Sequence, residues 1–170
     1  MIRLESVLES WKTVRQDTAQ AVLDFPAGEL DFKPAPDLMS FREIARHILD
    51  AGNGLTGLLL DGETDFTAAG FRDRMKAHFS TLPAGADAAA LAAELNASVE
   101  RRTADLAQQT PEFFARIITR FDGQQVTRLE LVQMVKEHEL THRSQLFVYQ
   151  RLKGIVPVTT RRRKAAQSSR

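Results

Sequence analysis

Apolar residues recur every three or four positions in four separate segments of the chain, which is the spacing of amphipathic helices. The first segment is centred on Trp11, and the third is the alanine-rich run 87–109, whose composition favours helix. The second segment opens at Ser40 and the last at Thr127. A glutamate three positions after each of these two residues completes a capping box, a common helix start. The sequence therefore predicts four long helices, each with one face to bury.

The segments between these helices indicate how the helices are connected. FFARIITRFDGQQVT alternates apolar and polar residues around Asp122-Gly123, a dipeptide suited to a tight reversal between two strands. Residues 61–86 are mixed, and we expect a loop, a short turn or helix, and a second loop. We therefore predict an all-α fold, a four-helix bundle with a short β-hairpin before the last helix.

The predicted domain occupies residues 1–157, and a basic tail follows over residues 158–170. The final RRRKAAQSSR contains no large apolar residue, so we expect this tail to be disordered. Its arginines could contact nucleic acid through charge alone. Because the net charge is only +1 and no nucleic-acid motif lies nearby, a solvated tail is the preferred interpretation.

Three glycines in the second helix are unusual for a helix interior. Gly52, Gly54 and Gly57 each cost about 1 kcal/mol relative to alanine. Such glycines indicate either the close packing of another part of the chain or an early end of the helix.

The composition is that of a soluble globular protein, with 43% hydrophobic and 26% charged residues. The absence of cysteine excludes disulfides, thiolate-bound metals and a nucleophile based on the protein's own thiol. The N-terminus lacks the continuous apolar core of a signal peptide, and no segment has the roughly twenty apolar residues of a membrane span. We expect a cytoplasmic protein with no membrane partner.

Two of the four histidines lie four positions apart in KEHELTHRSQLFVYQRLKG. His138 and His142 fall on the inward stripe of the last helix, and imidazoles one turn apart can reach the same ion. A buried imidazole without a partner is costly, and a metal ion would supply that partner. The alternative is a pair of structural histidines bonded to backbone or side-chain groups, which is the commoner case for a bare HxxxH.

A third histidine changes the balance between these two interpretations. His47 lies at the edge of the apolar face of the second helix and can also point between helices. Three inward histidines on two helices can form a site with open positions for water or substrate, as catalytic metal sites do. Zinc, nickel or iron(II) suits such ligands better than calcium or magnesium. His78 lies in the irregular middle segment and is left out of the predicted site.

Five further polar residues lie near the predicted site. Asp50 and Glu43 share the face of His47 and could orient its imidazole or act as bases, although Glu43 already has a capping role. Gln145 lies on the inward stripe, where it would contact a ligand or bond across the bundle. Arg143 is about 100° off that stripe and suits either a substrate clamp or a salt bridge. Tyr149 could donate a proton, but core packing is its commoner role.

The combination of these motifs resembles the DinB superfamily of bacterial four-helix-bundle proteins. The matching residues are the histidine in FREIARHILDAGNGL, the HxxxHR.Q pattern of EHELTHRSQL, and Gly154 with Pro157 in LKGIVP. The resemblance covers roughly residues 4 to 157 and implies a divalent metal held by His47, His138 and His142, and frequently a homodimer. Members with known activity include transferases and isomerases that use small-molecule thiols such as bacillithiol or mycothiol. The damage-inducible family name describes regulation under stress and does not imply DNA chemistry.

The functional hypothesis is a divalent-metal-dependent enzyme that activates water or a small-molecule thiol for hydrolysis or thiol transfer. Because the chain has no cysteine, any sulfur nucleophile must arrive as a cosubstrate. The alternative is a non-catalytic helical module that binds a ligand or dimerises, with a structural or empty metal site.

Overall fold

A computed structural model describes residues 3–169 as a helical bundle with one small hairpin. In chain order its elements are α1 (Leu4–Asp24), a 3₁₀ turn (Ala27–Glu29), α2 (Phe41–Leu60), α3 (Phe71–Lys76), α4 (Ala88–Ala107), α5 (Pro111–Ala115), β1 (Ile117–Thr119), β2 (Gln125–Thr127), α6 (Arg128–Leu152) and α7 (Val158–Ser168). The long helices α1 and α2 each pack against both α4 and α6. The predicted four-helix bundle with a short hairpin before the last long helix is confirmed.

Both predicted capping boxes are present, and they begin the two helices that carry the candidate site. Ser40 accepts a hydrogen bond from the backbone N–H of Glu43 at 3.2 Å, and the Glu43 carboxylate accepts one from the Ser40 N–H at 2.6 Å. Thr127 and Glu130 make the same reciprocal pair at the start of α6. These bonds satisfy backbone donors that a helix start leaves without partners.

The hairpin reverses at the predicted position. Ile118 pairs with Val126 in an antiparallel register, and Gly123 in the turn has φ of 82°, a conformation that favours glycine. The loop after α2 joins this hairpin, because the backbone N–H of Phe66 donates to the carbonyl of Thr119 at 2.8 Å. The segment before α3 and the hairpin are therefore held together.

The glycines of α2 make room for other parts of the chain. A Cβ at Gly54 would lie 2.4 Å from Cγ of Met75, and one at Gly57 would lie 2.3 Å from Cγ of His78. Because α2 continues to Leu60, the glycines do not mark an early helix end. They allow α3 and the residues after it to lie directly on α2.

A buried carboxylate joins α6 to α1. Glu139 is 2% exposed and accepts hydrogen bonds from Nε1 of Trp11 at 2.7 Å, Nε of Arg15 at 2.8 Å and Oγ1 of Thr18 at 2.9 Å. Trp11, at the centre of the first helix, is 1% exposed and lies among core side chains. The network fixes α6 against α1 beside the position of His138.

The prediction of a disordered tail is wrong for residues 158–168, which form α7. Arg162 donates to Oδ1 of Asp17 at 2.7 Å, and Arg161 donates to Oδ2 of Asp24 at 2.6 Å. These ion pairs attach α7 to α1, although α7 has no buried residue. A local sequence pattern cannot predict such tertiary contacts. Residues 1–2 of the predicted domain and residue 170 of the predicted tail lie outside the described residues.

None of the helices within residues 3–169 has the length and apolar character needed to cross a bilayer.

Candidate metal centre

The packing of α2 against α6 brings the three predicted ligands together. His47 projects from α2, while His138 and His142 project from successive turns of α6. Nε2 of His138 lies 3.0 Å from Nε2 of His47 and 3.1 Å from Nε2 of His142. Three ring nitrogens, separated in sequence by up to 95 positions (142 − 47), thus converge on one point.

The spacing of these nitrogens suits a shared ion. Imidazole nitrogens bind zinc at about 2.0–2.1 Å, so two ligands of one ion lie about 3.0 Å apart at a right angle and about 3.4 Å apart in a tetrahedron. The two separations at His138 match this range. The three ligand atoms span up to 4.8 Å, somewhat more than two Zn–N bonds in line (about 4.2 Å), so small ring rotations would close the group on an ion. The residues present therefore fit a divalent metal.

Gln145 sets the tautomer of His142. Its amide oxygen Oε1 lies 2.7 Å from Nδ1 of His142 and can only accept, so Nδ1 carries the proton. The Nε2 atom of His142 then keeps its lone pair and faces His138. Metal-binding histidines commonly use their second ring nitrogen in this way.

The electrostatic surroundings keep His138 and His47 neutral. Burial and the neighbouring imidazoles lower the pKa of His138 to about 4. Desolvation also lowers the pKa of His47, with a further contribution from His142, while Asp50 opposes this shift. A neutral imidazole is the form that binds a metal, so His138 and His47 have the protonation state of a ligand at neutral pH.

Within residues 3–169, the cluster contains three potential ligand residues and no fourth. His47 is exposed and the other two are partly buried. Structural zinc sites usually have four protein ligands, whereas catalytic sites have three and leave a position for water or substrate. The arrangement is that of an open site.

A cavity of about 1110 Å³ lies beside the histidines and is bounded by His47 and His138. Glu137 and Thr141 of α6 line it on the same side as His138. A smaller cavity of about 520 Å³ lies on the other side of His47 and includes Asp50. The larger cavity gives a small molecule access to the cluster.

Comparison with known proteins identifies the family. The model of the DinB superfamily matches residues 10–146, which include all three histidines. The chain belongs to the DinB superfamily. Its DinB-type pattern of one histidine on α2 and two on α6 is therefore part of a family domain that spans most of the chain.

Several relatives share this DinB fold. The uncharacterized protein YjoA of Bacillus subtilis is 27% identical over 156 residues, which are 91% of this chain and 93% of YjoA. The crystal structure of YjoA, called a DinB-like protein, superposes with a TM-score of 0.67 at 27% identity over 88% of this chain and 92% of that chain.

Two more distant solved structures show the same fold. YfiT of Bacillus subtilis, described as a probable metal-dependent hydrolase with an unusual four-helix bundle topology, has a TM-score of 0.61 at 20% identity over 91% of each chain. A mycothiol-dependent maleylpyruvate isomerase has a TM-score of 0.62 at 13% identity, and the match covers 85% of this chain but 61% of the isomerase.

The candidate polar residues have different positions relative to the cluster. Gln145 contacts His142 directly, as described above. Asp50 accepts a hydrogen bond from the Ser80 N–H at 3.1 Å, and burial raises the pKa of its carboxyl. Arg143 is turned toward α1, where Nη1 lies 3.4 Å from Oδ2 of Asp17, so it forms the interhelical salt bridge rather than a clamp at the cluster.

Three other residues have structural contacts. Glu43 closes the capping box at the start of α2. Tyr149 is buried in the core and donates its hydroxyl to the Met39 carbonyl at 2.8 Å. His78 lies 2.8 Å from Asp61 through Nε2 and is not part of the cluster.

The sequence analysis did not name most of the residues that line the large cavity, among them Glu137, Thr141 and Phe121. Glu137 and Thr141 lie on either side of His138 in sequence, and Phe121 comes from the hairpin turn. Thr141 could have been found from the helical face it shares with His138, three positions earlier, and Glu137 lies one turn before Thr141 on the same helix. No sequence pattern predicts that Phe121 lines the cavity, because its position depends on how the hairpin packs.

Proposed function

We propose that this protein is a divalent-metal-dependent enzyme in which His47, His138 and His142 hold the ion. The observation that carries the proposal is the convergence of three Nε2 atoms, with 3.0 and 3.1 Å separations at His138. The ion would be zinc, nickel or iron(II), since imidazoles with no thiolate and no carboxylate suit these metals. The reaction would be hydrolysis or thiol transfer on a small molecule.

The number of protein ligands and the adjacent cavity support an enzyme over a structural metal site. Three histidines leave coordination positions free, and His47 and His138 both border the large cavity. Of two fold relatives, one is described as a probable metal-dependent hydrolase and the other as an isomerase that depends on the small-molecule thiol mycothiol.

A divalent ion bound here would supply Lewis acidity, which polarises a substrate carbonyl and lowers the pKa of water or a thiol. The chain itself would orient and surround the reactants. Gln145 holds the His142 ring with Nε2 toward the cluster. Glu137 borders the cavity beside His138 and offers a carboxylate acceptor to a substrate hydroxyl, amide or thiol.

Any thiol in the reaction must come from outside the protein. The chain contains no cysteine, so it cannot form a thioester or a disulfide intermediate of its own. A low-molecular-weight thiol would therefore act as a cosubstrate that enters the cavity together with the electrophile.

Metal content and metal-dependent stability test the proposal. We expect the purified protein to contain close to one equivalent of zinc, nickel or iron, and the chelated protein to melt at a higher temperature after one of these metals is added. His138→Ala and His142→Ala should each remove most of that stabilisation. His78→Ala is the matched control, because His78 lies outside the cluster and should leave the metal response unchanged.

A protein that carries no metal and gains no stability from any of the three ions would contradict the proposal. A non-catalytic ligand-binding or dimerisation module would then be the better description.

A further inference from the structure

The cavity beside the histidines is largely apolar. Its apolar walls come from α2, α6, the segment around α3 and the hairpin turn, and include Leu55, Phe66, Phe71, Met75, Phe121 and Met134. Ligand pockets of proteins commonly have volumes of about 300–1,000 Å³ and apolar linings with few polar groups. The volume of about 1110 Å³ is thus sufficient for a bicyclic or similarly large molecule.

The glycines of α2 place one wall of this cavity. Met75 lies close to Gly54, because a Cβ at Gly54 would be 2.4 Å from Cγ of Met75. A Cβ at Gly57 would collide with His78. The two glycines thus form a notch in α2 that receives α3 and the residues after it. The side chains of Phe71 and Met75 consequently face the cavity rather than solvent.

The hairpin forms a second wall and is attached to the first. Phe66 is 1% exposed and its backbone N–H donates to Thr119, while the Thr119 N–H donates to Thr64, both at 2.8 Å. Phe121, two residues after Thr119, is 54% exposed although it lines the cavity. An aromatic side chain that borders a cavity and is still half open to water has unused surface for a ligand.

The charged residues around the cavity balance one another. Arg72 and Lys76 line it together with Asp73 and Glu137, and Nζ of Lys76 lies 3.1 Å from Oδ1 of Asp73. With two charges of each sign, the surroundings favour neither an anionic nor a cationic ligand body. Burial of apolar surface is therefore the main source of affinity that the walls offer.

We propose that this cavity binds an uncharged apolar body of the substrate, an aryl or branched alkyl group up to about the size of naphthalene, and directs the reacting group toward His47 and His138. The inference rests on the proposed function, because the reacting group of the substrate is defined by the metal that His47, His138 and His142 would hold. It adds the substrate class, since a small hydrophilic metabolite would leave the apolar walls in contact with water.

The first test uses the metal-free protein and a neutral fluorescent probe of the proposed size, 1-naphthylamine. We expect saturable binding at one site, and Phe121→Ala should weaken it about fivefold, the effect of losing one aromatic contact. Phe121→Trp should restore the affinity. Ile117→Ala is the matched control, because Ile117 lies on the same hairpin, is 56% exposed and does not line the cavity.

The inference is overturned if the probe does not bind, or if Phe121→Ala and Ile117→Ala have equal effects. Because Phe121 is half exposed, its replacement should not unfold the chain, and circular dichroism checks this.

The second test uses two chelators of the same metal-binding group on the zinc-loaded protein. Calorimetry should show that 2-naphthohydroxamate binds at least about tenfold more tightly than acetohydroxamate, and that Phe121→Ala reduces this gain without changing acetohydroxamate binding. Equal affinities of the two chelators would overturn the inference while leaving the metal site intact. If neither chelator binds and the protein takes up no metal, the proposed function fails, and the probe experiment still decides whether the cavity is an apolar binding site.

Discussion

Gln145 holds the imidazole of His142 by a hydrogen bond of 2.7 Å between Oε1 and Nδ1, three positions along the same helix. The bond leaves the Nε2 atom of His142 facing Nε2 of His138 at 3.1 Å. A residue that does not touch the proposed ion thus determines which nitrogen of His142 is available to it.

We therefore expect Gln145→Ala to weaken zinc binding by about 10- to 100-fold, the usual cost of losing such a supporting contact. The measurement is a titration against a competing chelator. Ser144→Ala is the matched control, since the Ser144 hydroxyl donates to the Leu140 carbonyl of its own helix and not to His142. Equal affinities of the Gln145 variant and the wild type would show that the contact does not orient His142.

The notch in α2 should tolerate no side chain. We expect Gly57→Ala to lower the free energy of unfolding by about 1–3 kcal/mol, because the new Cβ would lie 2.3 Å from the His78 ring and force α3 and its flanking residues outward. Urea denaturation measures this change. Gly85→Ala is the control, since a Cβ there would have no atom of residues 3–169 within 4 Å and no stability should be lost.

The buried Glu139 network should respond strongly to the loss of one partner. We expect Glu139→Ala to destabilise the protein by about 3–5 kcal/mol, because Arg15, 1% exposed, would be left as an uncompensated buried charge. Replacing both residues, with Arg15→Met and Glu139→Met together, should recover much of the loss. If the loss of unfolding free energy in the double variant equals the sum of the losses in the two single variants, this coupling is contradicted.

The attachment of α7 should depend on Asp17, which faces Arg162 at 2.7 Å and Arg143 at 3.4 Å. We expect Asp17→Asn to increase amide hydrogen exchange in residues 158–168 more than elsewhere, since the helix has no buried residue of its own. Glu9→Gln, on the same helix but paired with Lys12, is the control and should leave this exchange unchanged.

The two capping boxes should make the free energy of unfolding decrease as the pH becomes acidic. The backbone N–H of Ser40 and the Lys33 ammonium hold the pKa of Glu43 below its ordinary value, and the Thr127 N–H does the same for Glu130. A carboxylate whose pKa is lower in the folded state contributes stability above its unfolded pKa, and this contribution disappears as the pH falls through the folded pKa.

We thus expect urea midpoints to decline as the pH is lowered from about 6 to about 3, and the decline to be smaller in the Glu43→Gln, Glu130→Gln double variant. A decline of the same size in this variant would show that other carboxylates are responsible. Glu94→Gln, in the middle of α4, provides the control.

Local patterns in the sequence were sufficient for the long helices, both capping boxes and the hairpin turn. These features depend on residues a few positions apart, such as Ser40 with Glu43, and the short-range rules that govern them operate before any tertiary contact forms. The sequence analysis did not predict α5, although Thr110 caps it and Pro111 occupies its first turn. That helix has only five residues, which is too short for a periodic pattern.

Long-range contacts decided the features that the sequence analysis left open or predicted wrongly. From the sequence, the glycines of α2 indicated either close packing or an early helix end. The structure shows close packing, because Met75 lies against Gly54 and His78 against Gly57. The tail lies on α1 because Asp17 and Asp24, more than 130 positions earlier, bind its arginines. Neither the packing on these glycines nor the ion pairs of the tail can be predicted from the residues a few positions away in the sequence.

The sequence by itself determined the helices, their inward faces and the three histidines on those faces, because helical periodicity is a local property of the chain. Only the tertiary structure decided that the Nε2 atoms of these histidines lie close together, that Gln145 rather than Arg143 contacts His142, and that an apolar cavity lies beside the cluster. These relationships depend on the packing of α2, α3, α6 and the hairpin, and side chains distant in sequence acquire their distances and directions only when those elements pack.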